Sequence, residues 1–118
     1  MSRGPQAPYT PPDGGLFRCE VLREAGTARV RAIGEMDMDA VPPLSAEMAQ
    51  LRAAGCRHVI IDLSELSFLD SSGLRFLLDS CAEARQDGCT IALVPGPRAV
   101  QHVFELTRTT DRLPFIVA

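Results

Sequence analysis

A short apolar block that leads into an amphipathic helical pattern constrains the fold of this 118-residue chain more than any other feature. Residues 59–63 read Val-Ile-Ile-Asp-Leu, a β-branched run typical of a strand covered on both faces. Further along, apolar side chains recur at helical spacing, at Leu74, Leu77, Leu78 and Cys81. The pattern therefore predicts a buried strand that enters a helix through the Asp70–Gly73 turn.

Two serines, Ser71 and Ser72, lie at this junction. A helix start presents unpaired N–H groups and the positive end of the helix dipole, so a phosphate on either hydroxyl would be favoured there. Such a phosphate would add about 1.5 to 2 negative charges beside Asp70 and would repel an acidic partner. Serine and aspartate are also preferred N-caps, so the same residues need no function beyond capping. The residues by themselves leave both interpretations open.

The remaining pattern predicts one small α/β domain. Strands are expected at 16–23, 27–33, 57–63, 89–94 and 115–117, and helices from about 41 to 55, 72 to 86 and 97 to 107. Gly34 is expected to form a turn before the first helix, which Asp37 or Asp39 would cap. A hairpin joins the first two strands, and the β-α-β-α order that follows favours parallel pairing. The predicted fold is a mixed, largely parallel central sheet flanked by helices.

Composition excludes several classes of function. The net charge is −3 and the basic residues form no cluster, which argues against a nucleic-acid-binding surface. The chain contains neither an apolar run long enough to span a membrane nor a secretion signal, so we expect a cytoplasmic protein that does not bind membranes.

The cysteines and histidines do not indicate a metal site, a cofactor or a catalytic centre. No Cys-x-x-Cys pair is present, and His58 and His102 lie far apart in the sequence, so zinc is not expected. Four cysteines in apolar surroundings are instead predicted to be small, reduced core residues without a disulfide: Cys19, Cys56, Cys81 and Cys89. Residues 1–14 are rich in proline and glycine and are predicted to be a flexible tail, which leaves 15–118 as the folded domain.

Three blocks of sequence resemble one family. Residues 61–78, with Asp-Leu-Ser-x-Leu-Ser-Phe-Leu-Asp-Ser-Ser-Gly-Leu, resemble the signature of STAS domains, in particular of bacterial anti-sigma factor antagonists. Gly34–Asp37 resembles the turn before the first helix of that family, and 95–100 resembles the loop and helix start after its fourth strand. The family usually continues into another C-terminal helix, whereas this chain ends at Ala118. We therefore expect a barer edge strand that favours a weak homodimer.

The resemblance implies a function and its residues. Ser71 matches the serine that the family's kinase, the cognate anti-sigma factor, phosphorylates, and Ser72 is the alternative. Phosphorylation would break the complex and a phosphatase would reset it, so the protein would be a kinase substrate and not an enzyme. Arg75, four residues after Ser71, is a candidate to neutralise the phosphate. The implied partner-binding residues are Asp37, Asp70, Ser71, Ser72, Gly73 and Arg75.

Two other functions remain open from the sequence. The first is a STAS domain that serves as a permanent structural subunit of a transport or sensory complex, with Ser71 acting only as a helix cap. The second is a small nucleotide hydrolase. The Pro95–Pro97 loop argues against the hydrolase, because its prolines remove N–H donors that a phosphate cradle needs.

Overall fold

The computed structural model describes residues 17–116. The elements in chain order are β1 (Phe17–Glu24), β2 (Thr27–Met36), α1 (Val41–Ala53), β3 (His58–Leu69), α2 (Ser71–Gln86), β4 (Thr90–Val94) and α3 (Arg98–Leu106). A short 3-10 helix, Thr110–Arg112, follows α3. The predicted tail, 1–14, lies outside the described residues.

The four strands form one sheet in the order β1-β2-β3-β4. β1 pairs with β2 in the antiparallel sense, and β2–β3 and β3–β4 are parallel pairs. The hairpin turn between β1 and β2 places Ala25 at φ 48° and Gly26 at φ 85°. Two consecutive positive φ values give the turn a twist that matches the twist of the strands. The predicted mixed, largely parallel sheet is confirmed.

The hydrophobic core lies on one face of the sheet. Residues in register across the four strands, Val21, Val30, Ile61 and Leu93, are almost fully buried on this face. They form one cluster with apolar side chains of the three α-helices, among them Leu44, Leu51, Leu77, Val100 and Phe104. Burial of this apolar surface is the main source of the stability of such a domain.

The opposite face of the sheet carries charged side chains. Arg31 on β2 forms ion pairs with Glu20 on β1, at 2.9 Å, and with Glu65 on β3. Arg29 donates a hydrogen bond of 2.7 Å to Asp62. Ile60 is only half-buried on this face, so the prediction that β3 is covered on both faces by apolar residues is wrong. The reason is that the helices pack against the other face.

Two predicted boundaries differ because backbone pairing continues past polar residues. β3 extends to Leu69, six residues beyond the apolar block, since residues 65–69 still pair with β2. Gly34 does not end β2; it lies within the strand at φ 100°, beside a register shift. An irregularity in the pairing, where β3 has one more residue than β2 opposite Gly34 and Glu35, replaces the predicted turn.

The start of α1 and the last predicted strand also differ. The N-cap of α1 is Ala40, which makes no side-chain capping bond, whereas the Asp37 carboxylate accepts from the Asp39 N–H at 3.0 Å. Asp37 therefore forms a local turn and does not cap the helix. The strand predicted at 115–117 is reduced to a single bridge between Leu93 and Phe115 within the described residues.

Three of the four cysteines are buried as predicted: Cys19, Cys56 and Cys81. Cys89 is only half-buried, because it lies at the surface between α2 and β4. No helix formed by residues 17–116 is long and apolar enough to cross a membrane.

Candidate functional site

Asp70 holds the start of α2. Its backbone is extended, and its carboxylate accepts from the N–H groups of Ser72 at 2.9 Å and Gly73 at 3.1 Å. These two bonds satisfy donors that a helix start leaves without a partner inside the helix. The capping role that the sequence left open among three residues thus belongs to Asp70.

Ser71 is the first residue of α2 and is exposed, whereas Ser72 is half-buried. Among residues 17–116, no side chain or backbone group forms a hydrogen bond with the Ser71 hydroxyl in this structure. Because Asp70 supplies the cap, the fold does not use this hydroxyl. It is accessible to a reagent or to a partner protein.

Gly73 fixes the position of this helix start against the sheet. A Cβ atom on Gly73 would lie 2.6 Å from the Met36 carbonyl oxygen and 2.7 Å from a methyl group of Leu69. The Asp70 N–H also donates to the Met36 carbonyl, at 3.2 Å. The first turn of α2 therefore packs closely against the end of β2. This contact lies at the carboxyl edge of the parallel strands, where α/β proteins commonly bind their ligands.

The other strands contribute loops to this edge. Asp37 follows β2, and the Pro95–Pro97 loop follows β4. The Gly96 N–H donates to the Gln101 side chain at 2.8 Å, which closes the loop onto α3. The loop is thus the rigid turn that the sequence predicted rather than an open phosphate cradle.

Two exposed apolar side chains lie in the segments that lead to this edge of the sheet. Met38, in the loop after β2, is 69% exposed, and Phe68, two residues before Asp70, is 47% exposed. Met38, Ser71, Ser72 and Arg75 line one groove between α1 and α2. The sequence analysis did not single out Met38 or Phe68, because no local pattern distinguishes an exposed apolar residue from a buried one.

Two arginines lie near the Ser71 side chain. Arg75 is 82% exposed, and its Nε lies 3.9 Å from the Asp79 carboxylate. Arg112, on the 3-10 helix, lines a second shallow groove together with Ser71 and Arg75. Arg112 is about forty residues away in the sequence and nothing in its local pattern indicated this position.

The structure divides the predicted site residues into two groups. Ser71, Ser72 and Arg75 line the grooves, whereas Asp70 and Gly73 support the helix start from behind. Asp37 shapes the loop that carries Met38.

The histidines lie elsewhere. His58 is at the amino end of β3 and its ring Nδ1 is hydrogen-bonded to the Thr90 hydroxyl at 2.7 Å, and His102 is on α3. Within residues 17–116, no group of three His, Cys, Asp or Glu side chains is placed to hold a metal ion.

A comparison with protein families shows to which family the chain belongs. A family model described as "Mlab, STAS domain" matches residues 19–117. The chain belongs to the STAS domain family. The order of strands and helices and the helix start after β3 are those of this family's fold, as the sequence resemblance implied.

Relatives of this STAS domain are anti-sigma factor antagonists. The anti-sigma-B factor antagonist of Staphylococcus aureus strain NCTC 8325 is 26% identical over 82 residues, which cover 70% of this chain and 76% of the relative. An anti-sigma factor antagonist from Mycobacterium paratuberculosis has a similar structure, with 25% identity, a TM-score of 0.71 and coverage of 93% and 92% of the two chains.

The Bacillus cell fate determinant SpoIIAA shares the fold. Its phosphorylated form has a TM-score of 0.63 to this chain at 24% identity, with coverage of 86% of this chain and 91% of SpoIIAA. Its structure is also known in the unphosphorylated form, where it is described as an anti-sigma factor antagonist.

Proposed function

We propose that this STAS domain is an anti-sigma factor antagonist that binds a cognate anti-sigma factor kinase and thereby releases a sigma factor. The observation that carries the proposal is the exposed Ser71 hydroxyl at the first position of α2, which the fold does not use. The relatives named anti-sigma factor antagonists support this role. The protein would act in the bacterial cytoplasm as a binding module and kinase substrate.

The surface around Ser71 suits docking of a protein. Met38 is an exposed apolar side chain in the groove that Ser71 and Arg75 also line, and Phe68 is exposed near the end of β3. Protein interfaces commonly combine a few large apolar anchors with a polar rim that excludes water. We therefore assign the partner-binding surface to this edge, together with Asp37, Asp70, Ser72 and Gly73, which shape it.

Phosphorylation of Ser71 would act as an electrostatic switch. The phosphate would add about 1.5 to 2 negative charges to a surface that must lose water when a partner binds. The helix N-terminus and the two arginines near Ser71 would stabilise the phosphate on the free protein. The modification thus favours the free state over the complex, and a phosphatase restores binding.

The test uses candidate anti-sigma factor kinases with ATP and intact and peptide mass spectrometry. We expect one phosphate on the wild-type protein, which is lost in Ser71→Ala and kept in Ser72→Ala. Ser45→Ala is the matched control, since Ser45 is exposed on the α1 wall of the same groove. Phosphorylated protein should bind the kinase at least about tenfold more weakly, a difference of about 1.4 kcal/mol in binding free energy.

Other outcomes would contradict the proposal. A stable complex without phosphate transfer from any candidate would favour the permanent structural subunit. A phosphate that persists in Ser71→Ala and disappears in Ser72→Ala would show that Ser72, and not Ser71, is the phosphorylated residue. Steady turnover of ATP or GTP by the purified protein would favour the function of a small nucleotide hydrolase.

A further inference from the structure

A cavity of about 130 Å³ lies where α1 and α2 meet the amino ends of β3 and β4. Both helices end beside it, since Arg52 is in the last turn of α1, Asp87 is the C-cap of α2, and both side chains line the cavity. An apolar protein cavity of about 150 Å³ is large enough to bind benzene. The cavity therefore has roughly the size that a ligand with one small ring requires.

The buried part of the lining is apolar. Val59 and Ile91, which are in register on β3 and β4, line the cavity from the sheet. Met48 lines it from α1, and the buried Phe76 and Ala84 line it from α2. Phenylalanine rings and methionine sulfur atoms both make favourable contacts with an aromatic ring. This part of the lining therefore favours an apolar group, and an aromatic one in particular.

The exposed part of the lining is a charged rim formed by Arg52, Glu83 and Asp87. The Arg52 guanidinium lies 3.7 Å from each of the two carboxylates. Ion pairs of this length between exposed side chains contribute little, so a ligand can compete with Arg52. Two carboxylates face one guanidinium, and the carboxyl-terminal ends of both helices add negative potential. The rim therefore attracts a cation.

We propose that this cavity is a binding site for a small protonated aromatic amine, whose ring packs against the apolar lining and whose ammonium group binds at the rim. The ammonium group has three N–H donors. The Glu83 and Asp87 carboxylates and the half-buried Ser80 hydroxyl, which also lines the cavity, provide acceptors for them. An anion of the same shape is repelled by the same carboxylates. Binding requires neither Ser71 nor a partner protein, so this inference does not depend on the proposed function.

Three probes of similar shape and different charge test the proposal: benzylamine, benzyl alcohol and benzoate. Each probe is titrated near neutral pH into the full chain labelled with ¹⁵N, and the amide shifts in ¹H–¹⁵N NMR spectra give its dissociation constant. We expect benzylamine to bind at least about threefold more tightly than benzyl alcohol and at least about tenfold more tightly than benzoate. The largest shifts should occur at Val59, Phe76, Ala84 and Ile91, which line the cavity.

Variants of α2 separate the role of the charge from the role of the cavity. Glu83→Gln and Asp87→Asn should each weaken the binding of benzylamine about threefold and leave the binding of benzyl alcohol unchanged. Asp79→Asn is the matched control and should bind benzylamine like wild type, because Asp79 is an exposed carboxylate of α2 that does not line the cavity. Ala84→Leu should weaken the binding of both probes at least about tenfold, because the larger side chain takes up space in the cavity.

The three probes on the wild-type chain decide the proposal even if Ala84→Leu fails to fold. Equal affinity for all probes, or tighter binding of benzyl alcohol or benzoate, would overturn the recognition of an amine. Ligands of this size commonly bind in the millimolar range. The absence of shifts with every probe at about 10 mM, or shifts confined to residues outside the cavity, would therefore overturn the site itself.

Discussion

Asp70 and Ser71 are neighbours in the sequence but contribute differently to the start of α2. The Asp70 carboxylate accepts two backbone N–H groups of the first turn, whereas the Ser71 hydroxyl makes no hydrogen bond within residues 17–116. A residue that the fold needs and a residue that is available for modification thus lie side by side. This arrangement allows a chemical change at Ser71 without the loss of the helix cap.

Replacement of Asp70 separates these two roles. We expect Asp70→Ala to lower the free energy of unfolding by about 1 kcal/mol, because two N–H groups lose their acceptor. Ser71→Ala should change it by less than about 0.5 kcal/mol. Urea denaturation of both variants checks the difference, and equal losses would contradict the assignment of the cap to Asp70.

Arg75 and Arg112 allow a test that rests on the proposed phosphorylation of Ser71. A nearby guanidinium favours the doubly charged form of a phosphate, so it lowers the second pKa of the phosphate from about 6. We expect Arg75→Ala and Arg112→Ala each to raise the titration midpoint of phosphorylated Ser71, followed by ³¹P NMR. Arg18→Ala, on the distant strand β1, is the control, and equal midpoints in all variants would exclude both arginines as phosphate partners.

At the scale of elements, the site depends on how closely α2 approaches β2. β2 continues past Gly34 to Met36, whose carbonyl accepts from Asp70 and lies against Gly73. The length of β2 and the absence of a side chain at Gly73 together determine where the Ser71 hydroxyl lies.

Gly73→Ala tests this contact. Replacement of a glycine inside a helix by alanine usually stabilises the protein by up to about 1 kcal/mol. Here the added methyl group would lie 2.6 Å from the Met36 oxygen, so we expect a loss of about 1–3 kcal/mol. Thermal unfolding measures it, with Ser72→Ala as the neighbouring control, and a gain in stability would show that α2 moves away at little cost.

At the scale of the whole molecule, the two faces of the sheet are stabilised in different ways. One face packs apolar side chains against the helices, and the other links its strands through Arg29, Arg31 and their acidic partners. Asp62 is 5% exposed on this second face. Burial tends to raise the pKa of Asp62, but hydrogen bonds from Ser64 and the Arg29 guanidinium hold it below its usual value.

A lowered pKa in the folded protein makes Asp62 a source of acid sensitivity. The unfolded protein binds a proton at Asp62 more readily than the folded protein. The stabilisation is therefore complete above the unfolded pKa and is lost as the pH falls below about 4 toward the folded pKa. We expect Asp62→Asn to be less stable at neutral pH and to lose less stability between about pH 4 and 2.

Urea denaturation across this pH range provides the measurement. Asp79→Asn is the control, since Asp79 is exposed and its ion pair with Arg75 spans 3.9 Å. If the free energy of unfolding fell equally with pH in Asp62→Asn and in wild type, other carboxylates would cause the acid sensitivity.

Local patterns in the sequence determined the types and the order of the four strands and the three α-helices, but not the end of the chain after α3. Apolar periodicity located the strands, the hairpin they form and the helices that connect the parallel strands, because these signals depend on residues that are close in the chain. The Asp-Ser-Ser-Gly junction after β3 located the start of α2, since capping is a local interaction.

Only the tertiary structure decided the features that depend on distant residues. The polar end of β3 forms a strand because β2 offers it hydrogen bonds, and Asp62 is buried because Arg29 lies across the sheet. The 3-10 helix likewise brings Arg112 to the groove that Ser71 lines. Each of these depends on packing between segments about thirty or more residues apart, which no local pattern encodes.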